Sequence, residues 1–233
     1  KNINPTGFSD PIRLTDVGGV LYFAATDGVH GQELWRSDGT EAGTVLVKDI
    51  HPTGEANPMY LTAVNDRLFF VASDENMDRD LWVSDGTETG TVRVKDINPT
   101  GNSSPDSLVA MNGLLYFSAF DGVNGTELWR SDGTEAGTFM VKDIHPTASS
   151  VPVELTEGNG ALFFTASDNL YGRELWRSDG IITNTVIVKD IHPTAGSSPA
   201  GLTAVGDLLF FRANDGTNGV ELWRSDGTEG GTQ

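Results

Sequence analysis

The 233-residue chain contains no cysteine, so neither disulfides nor thiolate chemistry have a place in it. That absence leaves the compartment open, because secreted bacterial proteins often lack cysteine as well. Apolar residues show no helical periodicity. The longest apolar runs, such as Leu208 to Phe211, are far too short for a membrane-spanning helix, so membrane insertion is not expected. Basic residues are scarce, 15 against 33 acidic ones, and the formal charge is −18. Such a surface repels phosphate backbones and attracts cations and basic patches, which argues against nucleic acid as a partner. There is no initiator Met and no charged-then-apolar leader, so the chain reads as a processed product or an excised piece of something longer.

What is present is repetition. All five tryptophans, Trp35, Trp82, Trp129, Trp176 and Trp223, recur every 47 residues. The ten prolines fall into two sets at the same period, one beginning at Pro5 and the other at Pro11. The chain is five copies of one unit, two residues short of five whole periods. A period of this size marks an array in which each unit buries its faces against its neighbours.

In the first copy, Arg13 to Val17 alternates apolar and polar, Gly18-Gly19 turns the chain, and Val20 to Ala24 is rich in strand formers. A third strand is expected around Glu33 to Ser37 and a fourth over Thr44 to Ile50, followed by a proline-rich loop from His51 to Pro58. Tyr or Phe at 22, 69, 116, 163 and 210 precedes Phe at 23, 70, 117, 164 and 211, so both faces of each sheet carry an aromatic. The tryptophans are expected to fill the same layers. The fold class is therefore all-β: a five-bladed β-propeller with four antiparallel strands per blade, forming one domain over residues 1–233. Its last blade would be completed by or near the N-terminal segment, where Lys1-Asn2-Ile3 continues the strand that stops at Gln233.

The run Glu33-Leu34-Trp35-Arg36-Ser37-Asp38-Gly39-Thr40-Glu41-Ala42-Gly43-Thr44, followed by Val47-Lys48-Asp49-Ile50, resembles the bacterial ELW-x-x-D-G-T repeat family over the whole chain. The resemblance implies a large secreted or surface-associated bacterial protein and no particular activity. Two copies depart from it. Repeat two reads Asp80-Leu81-Trp82-Val83, and repeat four loses the Thr-Glu-Ala-Gly turn at Ile181 to Asn184.

The second-to-third loops and the fourth-to-first loops share one face, where binding is expected. There Asp27 with Glu33, Asp121 with Glu127, Asp168 with Glu174 and Asp215 with Glu221 form repeated acidic pairs. Two readings stand: oxygen ligands for Ca²⁺, or turn residues, since Asp-Gly is a favoured turn dipeptide. His51, His145 and His192 share one position with Asn4 and Asn98, which points to loop hydrogen bonding rather than zinc. Lys48, Asp49 and their equivalents are expected to make local ladder or loop bonds. Phe8, Met59, Tyr60 and Tyr171 are apolar where sister repeats are polar or small, and form a candidate patch for a glycan or protein.

No nucleophile elbow, phosphate loop or metalloprotease helix appears, and no catalytic residue is assigned. The expected function is a non-enzymatic binding or scaffolding module of an extracellular bacterial protein, presenting acidic loops to a glycan or protein. The alternative is an element of a surface assembly that self-associates through its split edge strand. A carboxylate-dependent glycan-active enzyme would instead need unique acids, and Asp106, Glu154 and Glu157 are the non-repeating ones.

Overall fold

A computed structural model describes the whole chain, Lys1–Gln233. It is all-β apart from one 3-10 turn at Ile182–Asn184. The first sheet runs β1 (Ile12–Val17), β2 (Val20–Thr26), β3 (Gln32–Ser37), β4 (Val45–Lys48), and the second β5 (Met59–Val64), β6 (Arg67–Ser73), β7 (Arg79–Ser84), β8 (Val92–Arg93). The third comprises β9 (Asp106–Met111), β10 (Leu114–Phe120), β11 (Thr126–Ser131) and β12 (Phe139–Lys142). The fourth comprises β13 (Val153–Gly158), β14 (Ala161–Asp168), β15 (Gly172–Ser178) and β16 (Val186–Lys189). The fifth has only β17 (Ala200–Val205), β18 (Leu208–Asn214) and β19 (Val220–Ser225). All neighbouring strands are antiparallel and joined in sequence order, and the five sheets fit a propeller-like arrangement. Two compact units divide the chain, Lys1–Pro105 with Gly133–Thr138, and Asp106–Asp132 with Phe139–Gln233.

Two expectations need correction. Lys1-Asn2-Ile3 forms no strand, and the fifth sheet has three strands where four were expected. Only Gln233 pairs with Arg224 where a fourth strand would begin. The fourth strand of the first sheet is also shorter than its apolar run. It stops at Lys48 because the N–H of Ile50 turns away to a side-chain acceptor, Glu33.

The first four sheets bury an aromatic residue on both faces, whereas the fifth leaves Leu222 76% exposed. In the first unit, Tyr22, Leu34 and Val47 of one sheet pack with Leu68, Phe70 and Trp82 of the next. In the second unit, Tyr116, Leu128 and Val141 pack with Leu162, Phe164 and Trp176 in the equivalent arrangement. Each fully buried Leu or Phe contributes about 1.5–3 kcal/mol. Every first strand carries a bulge, with Arg13 (φ 58), Tyr60 (φ 53), Ser107 (φ 57), Glu154 (φ 56) and Gly201 (φ 70) at its left-handed position.

The chain has only five lysines, all at one repeat position, and their bonds are not local. Each Nζ donates to a threonine carbonyl 43 residues on: Lys1 to Thr44 (2.8 Å), Lys48 to Thr91 (2.9 Å), Lys95 to Thr138 (3.0 Å), Lys142 to Thr185 (2.8 Å) and Lys189 to Thr232 (2.8 Å). That threonine closes the Ser-Asp-Gly-Thr turn. In the first copy Asp38 accepts from the N–H and hydroxyl of Thr40, Gly43 N–H donates to Thr40 Oγ1, and Thr44 Oγ1 donates to the Thr40 carbonyl. A β-carbon on Gly43 would collide with the Asp38 carboxylate, which explains the second glycine of the motif. Repeat four keeps the shape with other atoms: Asn184 Nδ2 donates to Asp179 at 2.7 Å in place of the missing threonine hydroxyl.

Lys48→Met removes a charge-assisted bond while keeping the aliphatic stem. It should lower unfolding free energy by about 1–2 kcal/mol in urea titrations, whereas loss of a purely local bond would cost a few tenths.

Candidate functional site

The repeated acids of the loop face are where binding was expected, and most of them are already engaged. Glu33, Glu127 and Glu174 have no exposed surface. Glu33 accepts from the N–H of Ile50 (3.0 Å) and of Ala56 (3.1 Å), which lie in the loop leading to the next sheet. Glu127 accepts from the N–H groups of Ile144 (2.9 Å) and Ser150 (2.8 Å) and from Ser150 Oγ (2.6 Å). Glu174 repeats this with Ile191 and Ser197. Each carboxylate thus fastens its own connecting loop at two points.

The partner aspartates are spent within their own turns. Asp27 Oδ1 accepts from the N–H groups of Val29 and His30, both at 2.9 Å, and its Oδ2 lies 2.7 Å from His30 Nδ1. Asp121, Asp168 and Asp215 cap the same turn through Val123 and Asn124, Leu170 and Tyr171, and Thr217 and Asn218. Asn4 and Asn98 also serve their loops, donating to the carbonyls of Phe8 and Asn102. No group of three or more His, Asp or Glu side chains is gathered in a way that could hold a metal ion. Glu221 is the exception among the glutamates. It is exposed, unlike Glu33, Glu127 and Glu174.

The apolar candidates are dispersed along the chain. Phe8 is 85% exposed in the N-terminal loop, while Met59 is half-buried at the start of β5. Tyr60 is turned outward by the bulge, and Tyr171 sits in the capped turn of repeat four. Among the non-repeating acids, Glu154 accepts from Leu202 N–H (3.0 Å) and Glu157 from Gly160 N–H (3.4 Å), so these too serve the backbone. Asp106 accepts from Ser107 Oγ at 2.9 Å.

Repeat two solves the loop problem with a different pair. Asp80, one methylene shorter than glutamate, accepts from Ser103 Oγ (2.5 Å) and Arg93 Nη1 (3.1 Å). Arg93 occupies the place opposite tryptophan that Leu46, Met140 and Ile187 hold elsewhere. The loss of glutamate at Asp80 was visible in the sequence. Its compensation by Arg93, a lone charge in an otherwise apolar column, was the signal that sequence reading missed.

Solved structures share this fold at low identity. A chain from an analysis of two prolyl endopeptidases superposes with a TM-score of 0.57 at 13% identity, over 97% of this chain and 34% of that one. Prolyl oligopeptidase B from Galerina marginata gives 0.56 at 13%, over 100% and 38%. A puromycin hydrolase gives 0.55 at 15%, over 97% and 37%. The chain therefore spans well under half the length of these proteins. No family model matches it, and no curated protein matches its sequence.

The expected function is overturned by these findings. Loops offered to a glycan or protein need accessible acids, yet three of the four glutamates are sealed inside and the aspartates are capped. The proteins that share the fold are peptidases and a hydrolase, and neither a surface binding module nor a surface assembly joined through an edge strand finds support among them.

Burial shapes the acid–base behaviour. Desolvation pushes the Glu33 carboxyl up to about 7, against the pull of the Ile50, Ala56 and His51 N–H groups. Desolvation likewise raises Glu127, Glu174 and Asp80 above the ordinary carboxyl range. A carboxyl raised on folding contributes stability below its unfolded pKa, and loses that contribution as pH rises through the folded value. The turn aspartates run the other way. Asp215 is lowered by the N–H groups of Asn218 and Thr217, and Asp38 by Thr40. Their contribution is present above the unfolded value and is lost as pH falls through the folded one.

The melting midpoint should therefore be highest near the ordinary carboxyl range, at about pH 4 to 5, and decline as pH rises toward about 7 and beyond. A midpoint that climbs steadily across that range in circular dichroism melts would contradict the buried-glutamate account. A second prediction concerns repeat two. Arg93→Leu strands a buried carboxylate and should cost about 2 kcal/mol, held to that value by the exposure of the guanidinium. Adding Asp80→Glu restores the pattern of the other repeats and should recover most of the loss, as a double-mutant cycle would record.

Proposed function

We propose that this chain is the non-catalytic β-propeller part of a larger hydrolase-type protein, a rigid five-bladed body beside a catalytic domain carried elsewhere in the same polypeptide. The observation that carries this reading is the match of nearly the whole chain to only about a third of each enzyme that shares its fold. The use of its acids supports it: Glu33, Glu127, Glu174, Asp27, Asp121 and Asp215 hold backbone amides rather than face one another. In that role the module needs stiffness more than chemistry, and the recurring motif supplies it through buried carboxylates, capped turns and lysine ties. We also place the chain in the ELW-x-x-D-G-T repeat family on the strength of the motif itself.

Two measurements test the reading together. Sequencing the complete reading frame should reveal a hydrolase domain on one side of this segment, and a frame without one would refute the proposal. The purified segment should release no nitroanilide from prolyl or aminoacyl substrates, and turnover by the isolated segment would show that it carries catalysis itself.

A further inference from the structure

Repeat two differs from its sisters at one more place. In the other repeats a glycine ends the second-to-third loop, and three of these touch the connecting loop of their own repeat so closely that a β-carbon would collide: Gly31 with Gly54 and Glu55, Gly125 with Ser149, Gly172 with Gly196. Repeat two has Asp78 at this position. Its side chain forbids that contact, and the left-handed φ of the loop moves to Met77 (φ 63). Beside this altered loop lies a cleft of about 500 Å³ in the first unit, lined among others by His51, Glu55, Asn57, Ser73, Met77 and Arg79.

The equivalent cleft three periods along holds about 280 Å³, with Gly196, Ser198, Asn214 and Val220 where repeat two has Glu55, Asn57, Ser73 and Arg79. The smaller cleft carries a cation at Arg212 and no anion, whereas the larger one carries its cation at Arg79 and adds an anion, Glu55. These do not neutralise each other: Arg79 makes no side-chain hydrogen bond or ion pair, and Glu55 receives only the Asn57 amide at 3.4 Å. Two periods along, Arg173 is tied down by Thr165 Oγ1 (3.0 Å) and the carbonyls of Thr165 and Val151. Val71 stands where Thr165 does, so the hydroxyl that would hold Arg79 is missing. His51, 5% exposed, lines the cleft with its Nδ1 unpartnered, and Met77, 73% exposed, adds a flexible apolar wall.

We infer that this cleft binds a small zwitterion of the α-amino-acid type with an apolar side chain. Arg79 takes the carboxylate in a charge-assisted fork, Glu55 takes the ammonium group, and Met77 lies against the side chain. Uncompensated charges of both signs in one cleft match a ligand that carries both. A simple anion would meet Glu55, and a simple cation would meet Arg79.

The test is a two-dimensional NMR titration of the full chain with L-leucine, N-acetyl-L-leucine and L-leucinamide. L-leucine should shift the Arg79, Asn57 and Asn102 signals saturably, while each blocked analogue binds at least about ten-fold more weakly. Arg79→Gln and Glu55→Gln should each weaken L-leucine by a similar factor, and Arg212→Gln, in the repeat-five cleft, should not. Both substituted residues are exposed, so unchanged melting midpoints will confirm that the variants fold. Absence of saturable shifts, equal binding of a blocked analogue, or indifference to either charge-removing variant overturns the inference.

Discussion

A chain that leaves a strand and dives into a buried loop must find acceptors for its amides, and in three of the five repeats one buried glutamate provides them. An orphaned buried N–H costs about 1–3 kcal/mol, and each loop has at least two to satisfy, such as those of Ile50 and Ala56. The glutamate before Leu-Trp reaches both because it sits on a central strand and points along the loop's path. Burying an acid is itself costly, which is why desolvation pushes the Glu33 carboxyl up to about 7 and raises those of Glu127 and Glu174. The motif accepts that penalty in exchange for a fixed loop, and the position of the next sheet follows from the loop.

Two other fastenings work alongside it. The Ser-Asp-Gly-Thr turn satisfies its own polar groups almost entirely, so its geometry does not depend on packing. The lysine that ends the fourth strand then grips the last threonine of the turn 43 residues on. The lysine comes first in the sequence, and its longer tie uses the locally closed turn of the following repeat as an anchor. Strand length, loop path and neighbour spacing are therefore set by side chains that look, in the sequence, like an ordinary charged surface.

Much of the architecture was legible because it rests on periodicity. Strand positions followed from alternation and glycine turns, and paired aromatics such as Tyr22-Phe23 implied the burial on both faces that the first four sheets have. What stayed hidden depends on reach rather than type. Glu33 and Lys48 are charged, and composition says only that charges favour water; that one is sealed inside and the other spans to a distant turn needs coordinates. Repeat two shows the same limit. Asp80 read as a loss of the motif, but a shorter acid needs a partner, and Arg93 sits beside it only because strand register places residue 93 opposite Trp82. The cleft was missed for a related reason, since replacing a glycine with Asp78 removes a contact and leaves no positive mark in the sequence.

The lysine ties have a consequence for handling this protein. Apart from the α-amino group, its only amines are the five Nζ atoms, and every one is bonded to a threonine carbonyl. Reagents that acylate amines, whether labels, crosslinkers or coupling chemistry for a solid support, have no idle side chain to consume. Each modification converts a donor cation into a bulky amide at a junction, so the extent of labelling is also a measure of how far the array has been unstitched.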